Sequence, residues 1–203
     1  MQYHTFSEGE VEELLRASEG APSTHAGNRP GHARERHLLL SNAELLARHE
    51  MMVAAEQARR ARRRAEAADR GRRWLPGGPI YLMVTAFSTW SDMVEMGCLL
   101  LKSPQAQAGL SAMFVGPMAA EGARLEICFI APRDVTMRYV QGGAVVRTMP
   151  VRQLTMLVDR SDRGRLRLHV QTFFGGVPVN EPHSGAVLSN PRGEEILGFT
   201  GFP

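Results

Sequence analysis

Lysine is nearly absent from this sequence. Of the 24 basic residues in the 203-residue chain, Lys102 is the only lysine, so arginine carries almost all of the positive charge. The formal net charge is only +3, and arginine-rich usage also follows from the nucleotide composition of some genomes. Composition alone is therefore weak support for a nucleic-acid partner.

Long apolar runs are also lacking. No stretch reaches the roughly 18 apolar residues that a membrane-spanning helix needs. The chain does not start with a basic segment followed by an apolar one, so we expect neither a membrane span nor a secretory signal peptide. The length suits a single domain with an ordinary core, and we predict a helical arm and loop over residues 1–30 and the domain over residues 31–203.

Cysteine is scarce, since Cys98 and Cys128 are the only two. Both lie among Met, Leu, Ile and Phe, on a predicted helix and a predicted strand, which is typical of free buried thiols, although a disulfide between them stays open. Two cysteines are too few for a disulfide scaffold, and no Cys/His spacing fits a zinc site. We therefore expect no metal and no cofactor.

Helical patterns fill the first half of the chain. Ser7 and Glu10 have the spacing of a capping box, which predicts a short amphipathic helix that ends near Gly20. Residues 21–30 have the composition of a loop. A much longer helix follows and is predicted to run to about Arg72, because no proline or glycine interrupts it before Gly71.

The long helix has a predicted cap at its start and an arginine-rich segment at its far end. Ser41 can cap it, with Glu44 completing a capping box, and Asn42 is an equally good cap. Its apolar side ends near Ala55, and from Gln57 onward alanine and arginine dominate without a broad hydrophobic face. Such a segment is usually a solvated helix. The functional alternatives are an electrostatic track for RNA or a docking surface for an acidic inhibitor protein.

The second half of the chain has mainly strand patterns. Residues 80–87 are rich in β-formers, and Ser91 is predicted to cap a helix that Pro104 divides. Five further strands are predicted at Arg124–Ile130, Val135–Gln141, Val145–Met149, Leu154–Asp159 and Leu166–Phe174. Turn-like segments between them favour antiparallel hairpins, so the sequence predicts an α+β domain.

Side-chain alternation in the last predicted strand suggests where a cleft lies. One face would carry an apolar row that ends in two functional candidates: Leu166, Leu168, Val170, Thr172 and Phe174. A hydroxyl at the end of a buried row is typical of a core that opens into a cleft, although Thr172 can equally be a strand former at a sheet margin. His169 would lie on the opposite face.

The most informative stretch runs from Gly31 to Arg48. His37 precedes the long helix, and Arg48 lies on that helix's second turn. Histidine can transfer a proton near neutral pH, and arginine can hold two phosphate oxygens, so the pair suits phosphate chemistry. His32 is the nearest second imidazole, but a separation of five residues is expected to place it on a different side of a helix or strand from His37.

The arrangement His-x-x-x-Arg-His, followed after eleven positions by the arginine of a Leu-Leu-x-Arg helix, resembles the RNase A-like toxin domains of bacterial contact-dependent inhibition and related polymorphic toxin systems. Phe87-Ser88-Thr89-Trp90 stands where those domains have a Ser/Thr-Phe turn, and Thr172-Phe173-Phe174 where they have Thr-x-Tyr. The resemblance covers about residues 31–176. It implies N-terminal helices packed on a C-terminal antiparallel sheet, with the architecture of that family.

The resemblance also implies an activity, which is metal-independent cleavage of RNA to a 2′,3′-cyclic phosphate without a cofactor. His37 would be the acid/base group, Arg48 would contact the phosphate, and Thr172 would donate a hydrogen bond to it. Phe174 stands where tyrosine is usual, so one hydroxyl is missing. Substrate contacts would come from His32, Arg36, Ser88 and Thr89.

The same resemblance implies an RNA substrate and a cognate immunity protein as partner. The protein would reside in the cytoplasm of the producing cell or be delivered to that of a target cell. Two alternatives stay open. One is a non-catalytic or weakly active RNA- or protein-binding domain on the same fold, and the other is a different phosphate-handling enzyme, because a His/Arg pair does not fix the reaction.

Overall fold

The fold is α+β, as the sequence predicts. A computed structural model describes residues 3–22, 30–71, 83–114, 122–142, 145–176, 184–190, 192 and 194–201. Its helices are α1 (Glu8–Ser18), α2 (Ala33–His37), α3 (Asn42–Asp69), α4 (Trp90–Lys102) and α5 (Pro104–Phe114). Its strands are β1 (Met83–Phe87), β2 (Arg124–Gln141), β3 (Arg147–Arg160), β4 (Leu168–Gly176), β5 (Ser184–Ser189) and β6 (Glu195–Gly201). The predicted end of the long helix at Arg72 and residues 80–82 of the predicted strand lie outside the described residues.

The six strands form one antiparallel sheet. Its order is β4-β3-β2-β5-β6, and β1 pairs with the far end of β2. Strand β2, with 18 residues, is long enough to pair with β5 over its first residues and with β1 over its last. It joins two predicted strands, because residues 131–134 form a register shift inside the ladder and do not end it.

Strands β3, β5 and β6 also differ from the prediction. Two predicted strands merge into β3, which continues through Pro150 and stays paired with β2. No strand was predicted after Phe174, yet β5 pairs with β2 and β6 pairs with β5. Both are short and glycine-containing, so their strand character depends on pairing, of β5 with β2 and of β6 with β5.

The main core lies between the sheet and three helices. Side chains of α1, α4 and α5 pack with those of β2, β3 and β4, and Leu15, Leu100 and Phe173 are fully buried there. Burial of each such side chain contributes about 1.5–3 kcal/mol. Helix α1 therefore belongs to the same core as the rest, while the predicted division at residue 30 stays a prediction.

The two cysteines are free thiols. Cys98 is buried on α4, and Cys128 is half-buried on β2, which are the predicted kinds of element. Burial raises the pKa of the Cys128 thiol, so it stays protonated at neutral pH.

A smaller apolar cluster lies under the first half of α3. It consists of Leu40, Leu45, Val84, Ala86 and Val140. Val84 and Ala86 alternate along β1 with Thr85 and Phe87, which are also buried, so β1 is covered on both faces. Helix α3 thus fixes β1 from the side opposite the main core.

Local capping chemistry sets the helix starts. The Ser41 hydroxyl accepts from the Glu44 amide at 3.2 Å, and the Glu44 carboxylate accepts from the Ser41 amide at 2.6 Å, so Ser41 and not Asn42 is the cap of α3.

Among the described residues, no helix is both long and apolar enough to cross a membrane.

The predicted cap of α4 is wrong. Ser91 lies inside the helix, and the Thr89 hydroxyl instead accepts from the Asp92 amide at 3.0 Å. Thr89 is favoured because Asp92 lies three residues further on, where its carboxylate also accepts from the Thr89 hydroxyl at 2.7 Å.

Strand β4 contains one residue more than the part of β3 that it pairs with. Thr172 pairs with Leu157, but Val170 pairs with the very next residue, Val158, which leaves Gln171 as a bulge. Because neighbouring residues on β3 face opposite sides of the sheet, Thr172 and Val170 also face opposite sides.

The bulge overturns the predicted apolar row of this strand. Thr172 and Phe174 do share one face, but Val170 and Leu168 lie on the face that packs into the main core. The strand itself begins at Leu168, after a turn. Thr172 therefore does not lie at the end of that apolar row, and the row does not explain why Thr172 is buried.

Candidate active site

Helix α2 brings His37 to the edge of β1 that does not pair with β2. His37 is the last residue of α2, and its Nδ1 lies 3.2 Å from the Thr85 carbonyl oxygen. The chain then pairs with β1, where the Leu39 amide donates to the Phe87 carbonyl at 3.1 Å. The Thr85 hydroxyl donates to the Gly175 carbonyl at 2.5 Å, so β1 also holds the end of β4 close to His37.

His37 and Arg48 form a direct pair. Nη2 of Arg48 lies 3.2 Å from Nε2 of His37. A guanidinium can only donate, so Nε2 must be the accepting nitrogen, and Nδ1 then carries the proton that is donated to the Thr85 carbonyl. The two contacts together select one neutral tautomer of His37.

The surroundings of His37 keep it neutral. Its side chain is 6% exposed, and burial is the main reason that its pKa lies well below the usual 6.5. The positive charge of Arg48 acts in the same direction, while the Thr85 carbonyl opposes both and is outweighed. At neutral pH His37 can therefore accept a proton.

Arg48 has a hydrogen-bond donor that no described residue uses. Burial, with the charge of Arg36 as a smaller cause, lowers the pKa of Arg48 to about 10, so it stays charged at neutral pH. Its Nη1 is buried without a hydrogen-bond partner among the described residues. A buried donor of this kind is costly to leave unmet, and an anionic oxygen would satisfy it.

A second imidazole lies beside the first. The ring centroids of His32 and His37 are 6.1 Å apart, so the expectation that they lie on different sides of an element is wrong. His32 is the non-helical residue before α2 (φ −148°, ψ 30°), so helical periodicity does not relate it to His37. Its amide donates to the carbonyl of the bulge residue Gln171 at 2.9 Å, which links it to β4.

The titration of His32 is also affected by its surroundings. Its side chain is half-buried, and this burial lowers its pKa, while the Pro30 carbonyl near Nδ1, at 3.1 Å, opposes the shift. Glu19 raises the pKa slightly, and Arg36 and Arg48 lower it. Both imidazoles therefore favour the neutral form in the free protein.

Strand β4 supplies the remaining predicted catalytic residues. The Phe174 ring stacks on His37, with centroids 5.5 Å apart and planes 29° apart. Thr172 lies two residues earlier on the same face and is 6% exposed, and its hydroxyl is buried without a hydrogen-bond partner among the described residues. The site thus combines a neutral base, a second imidazole, a guanidinium and an unsatisfied hydroxyl, which together suit a phosphodiester.

The other predicted substrate contacts are placed differently. Arg36 is exposed on α2, near enough to Arg48 to affect its pKa. Ser88 is half-buried at the end of β1. The Thr89 hydroxyl is engaged as the cap of α4. A role in substrate binding stays a prediction for all three.

His169 was predicted on the face of the strand opposite Thr172, but the structure places it on the same face. His169 pairs with Asp159, so it lies on the same face of β4 as Thr172 and Phe174. Its Nε2 is buried without a hydrogen-bond partner among the described residues, and burial lowers its pKa. The bulge at Gln171 is the reason, because it reverses the alternation on which the prediction relied.

No group of three or more His, Cys, Asp or Glu side chains in the described part of the chain is arranged to hold a metal ion.

Comparisons with known proteins give little for this chain. No family model matches the sequence, and neither does any curated protein. A chain of the CdiA-CT/CdiI complex from Y. kristensenii 33638 is similar over 72% of this chain and 100% of its own length, with 16% sequence identity and a TM-score of 0.45. A likeness at this level carries no argument about the function of this chain.

Proposed function

We propose that this protein is a metal-independent ribonuclease that cleaves RNA by transphosphorylation and leaves a 2′,3′-cyclic phosphate. The observation that carries the proposal is the buried, neutral His37 paired with Arg48, with a second imidazole 6.1 Å away. Such a reaction needs a base for the ribose 2′-hydroxyl, donors for the phosphate charge and an acid for the leaving oxygen.

His37 acts as the base in this mechanism. Its Nε2 takes the proton of the 2′-hydroxyl, the 2′-oxygen forms a bond to phosphorus, and the bond from phosphorus to the 5′-oxygen breaks. In the free protein Nε2 accepts from Arg48. A bound phosphate draws that guanidinium toward its own oxygens, and the lone pair of Nε2 then becomes available.

Arg48 and Thr172 stabilise the charge that develops on the phosphate. Arg48 Nη1 and the Thr172 hydroxyl are both buried without a partner among the described residues, so each can donate to a non-bridging oxygen. The Arg48–His37 hydrogen bond is given up when the phosphate binds, and donors that are already in place lower the barrier because they need no further reorganisation during the reaction.

His32 supplies the acid. It is half-buried and so remains accessible to solvent, whereas His37 is not. The acid must be protonated, and a phosphate anion beside the ring favours this by raising the pKa of His32. His32 then gives its proton to the leaving 5′-oxygen.

The test is incubation of the purified protein with total RNA in excess EDTA. We expect cleavage by the wild type, 2′,3′-cyclic phosphate ends, and no cleavage by His37→Ala. His4→Ala is the matched control, because His4 bonds to Glu10 and takes no part in the site. Arg48→Lys should stay impaired, since lysine keeps the charge but loses the planar fork. Strict dependence on magnesium would contradict the mechanism.

We place this activity in bacterial antagonism, with a cognate immunity protein as inhibitor and a cytoplasmic RNA target. The support is the sequence resemblance to contact-dependent inhibition toxins. The second candidate is a non-catalytic RNA- or protein-binding domain, which the missing hydroxyl at Phe174 favours. RNA binding without cleavage, unchanged by His37→Ala, would support that candidate instead.

A further inference from the structure

The far half of α3 contributes almost nothing to the core. Within α3 only Leu45 and His49 are buried, both in its first half. Residues 57–71, here called the arginine segment, are exposed except for partial burial at Arg60 and Ala67. Packing therefore does not explain the sequence of this segment.

The arginines of the segment are not spread evenly around the helix. At about 100° per residue, Arg59, Arg62 and Arg63 lie within about 60° of the direction of Arg48. This is the side of α3 on which Arg48 meets His37. The remaining arginines within the helix lie about 120° and 160° away, and they are Arg60 and Arg64.

The arginine segment lies several nucleotide lengths from Arg48 along the helix axis. At about 1.5 Å per residue, Arg59 lies roughly 16 Å and Arg63 roughly 22 Å from Arg48 along the axis. At about 3.4 Å per stacked nucleotide, this corresponds to roughly five to seven nucleotides. Exposed Arg36 lies near enough to Arg48 to lower its pKa, so it adds positive charge close to the site.

The arginines of the segment differ in how free they are to bind an external anion. The carboxylate of Glu56 pairs with Arg59 at 2.6 Å and with Arg60 at 2.9 Å, which neutralises part of their charge. Arg62 and Arg63 are exposed and form no ion pair with any described residue. They are therefore the strongest candidates for an external anion.

We propose that Arg62 and Arg63 bind phosphates of the RNA strand that occupies the active site, several nucleotides from the bond that is cut. This inference rests on the proposed ribonuclease function and names a second contact region for its substrate. The arginine segment has no aromatic and no large aliphatic side chain, so it lacks both the anchors of most protein interfaces and a platform for base stacking. The contact is therefore to the backbone and independent of base sequence.

The test compares two double variants that lose the same charge. Arg62→Gln with Arg63→Gln alters the proposed face, and Arg60→Gln with Arg64→Gln alters the far side; glutamine keeps the helix propensity. We measure kcat/KM for a dinucleotide and for a single-stranded RNA of about fifteen nucleotides. For the first variant we expect the ratio of long to short substrate to fall about fivefold, with a salt slope smaller by about 1.4 on the long RNA.

The control variant should leave that ratio unchanged. An equal fall in both variants would show a general charge effect, and no fall in either would show that the segment does not touch RNA. Both outcomes overturn the proposal.

A binding measurement separates this inference from the ribonuclease itself. Fluorescence anisotropy with the same RNA is performed on His37→Ala protein, with and without Arg62→Gln and Arg63→Gln. If the wild type cuts no RNA but the added changes weaken binding about fivefold, the RNA contact stands and the catalytic proposal fails. If the wild type cuts RNA and the added changes leave binding unaltered, the inference fails alone.

Discussion

At the scale of single residues, the protonation of His37 is set by what surrounds it. Burial and Arg48 both lower its pKa. We expect the His37 ring to remain neutral through pH 6.5 in an NMR titration of the free protein, and Arg48→Met to raise its pKa while leaving it below 6.5, because burial persists. An unshifted His37 titration in Arg48→Met would show that the pair does not interact electrostatically.

Phe174 stands where the toxin domains that the sequence resembles usually have tyrosine. Its position in the site makes this difference testable. The ring is half-buried and stacks on His37, on the face it shares with Thr172. We predict that Phe174→Tyr raises kcat on RNA, because one further donor at a phosphate site is worth about 2–4 kcal/mol, or roughly thirtyfold to a thousandfold in rate.

The measurement is kcat for both proteins, with unfolding in urea as a companion. A fall in activity together with lower stability would mean that the new hydroxyl is buried without a partner and that Phe174 serves packing.

At the scale of elements, Gly31 is the point where the site is joined to the sheet. A Cβ there would lie 2.1 Å from the Ser18 carbonyl oxygen and 2.9 Å from that of Val170. We predict that Gly31→Ala destabilises the fold by about 1–3 kcal/mol and lowers activity, because the backbone that carries His32 must move. Urea unfolding measures the first effect and RNA cleavage the second.

Gly9→Ala is the matched control for this change. Gly9 lies in α1 with no atom within 4 Å of an added Cβ. Alanine there should stabilise the protein by about 0.5–1 kcal/mol through its better helix propensity. Equal effects of the two substitutions would rule out the close approach at Gly31 as the cause.

Elements that depend on local chemistry were predictable from the sequence. Ser7 with Glu10 and Ser41 with Glu44 form the predicted capping boxes, because a cap involves only residues three apart. The bulge at Gln171 was not predictable, because the pairing of β4 with β3 and the contact with His32 produce it. That one residue is why the faces of Val170 and His169 were assigned wrongly.

The site was predictable in part for the same reason. The spacing of His37 and Arg48 suggested the pair that the structure brings to 3.2 Å. The position of His32 relative to His37 depends on where the five-residue helix α2 begins, and the sequence of α2 has no capping signal that marks this start. Thr85 was missed altogether, since it orients His37 through a carbonyl that every residue possesses.

At the scale of the whole molecule, the buried imidazole makes stability depend on pH. In the unfolded chain His37 takes up a proton near pH 6.5, whereas in the folded protein it does so only well below that value. Between the two pH values the unfolded state binds more protons than the folded state. The contribution of His37 to stability is therefore complete above about pH 6.5 and is lost as the pH falls. His32 and His169 act in the same direction.

We therefore predict that the free energy of unfolding falls below pH 6.5, with His37 alone contributing up to about 1.4 kcal/mol per pH unit. Urea unfolding between pH 7.5 and 5.5 measures this, and His37→Gln, which cannot take up a proton, should show a shallower dependence. Identical slopes in the two proteins would mean that His37 titrates alike in the folded and unfolded states.

The unmet donor on Arg48 also makes folding and ligand binding interdependent. A half-buried cation with a buried, unpartnered Nη1 and a neutral imidazole as its neighbour lowers the stability of the free protein, and an anion that neutralises it binds the folded chain alone. Such a ligand shifts the folding equilibrium by mass action, by about 2.7 kcal/mol at a hundred times its dissociation constant. An anion bound at this site, such as the phosphate of the proposed substrate, thus also stabilises the fold, and the protein resists unfolding most when that anion is bound.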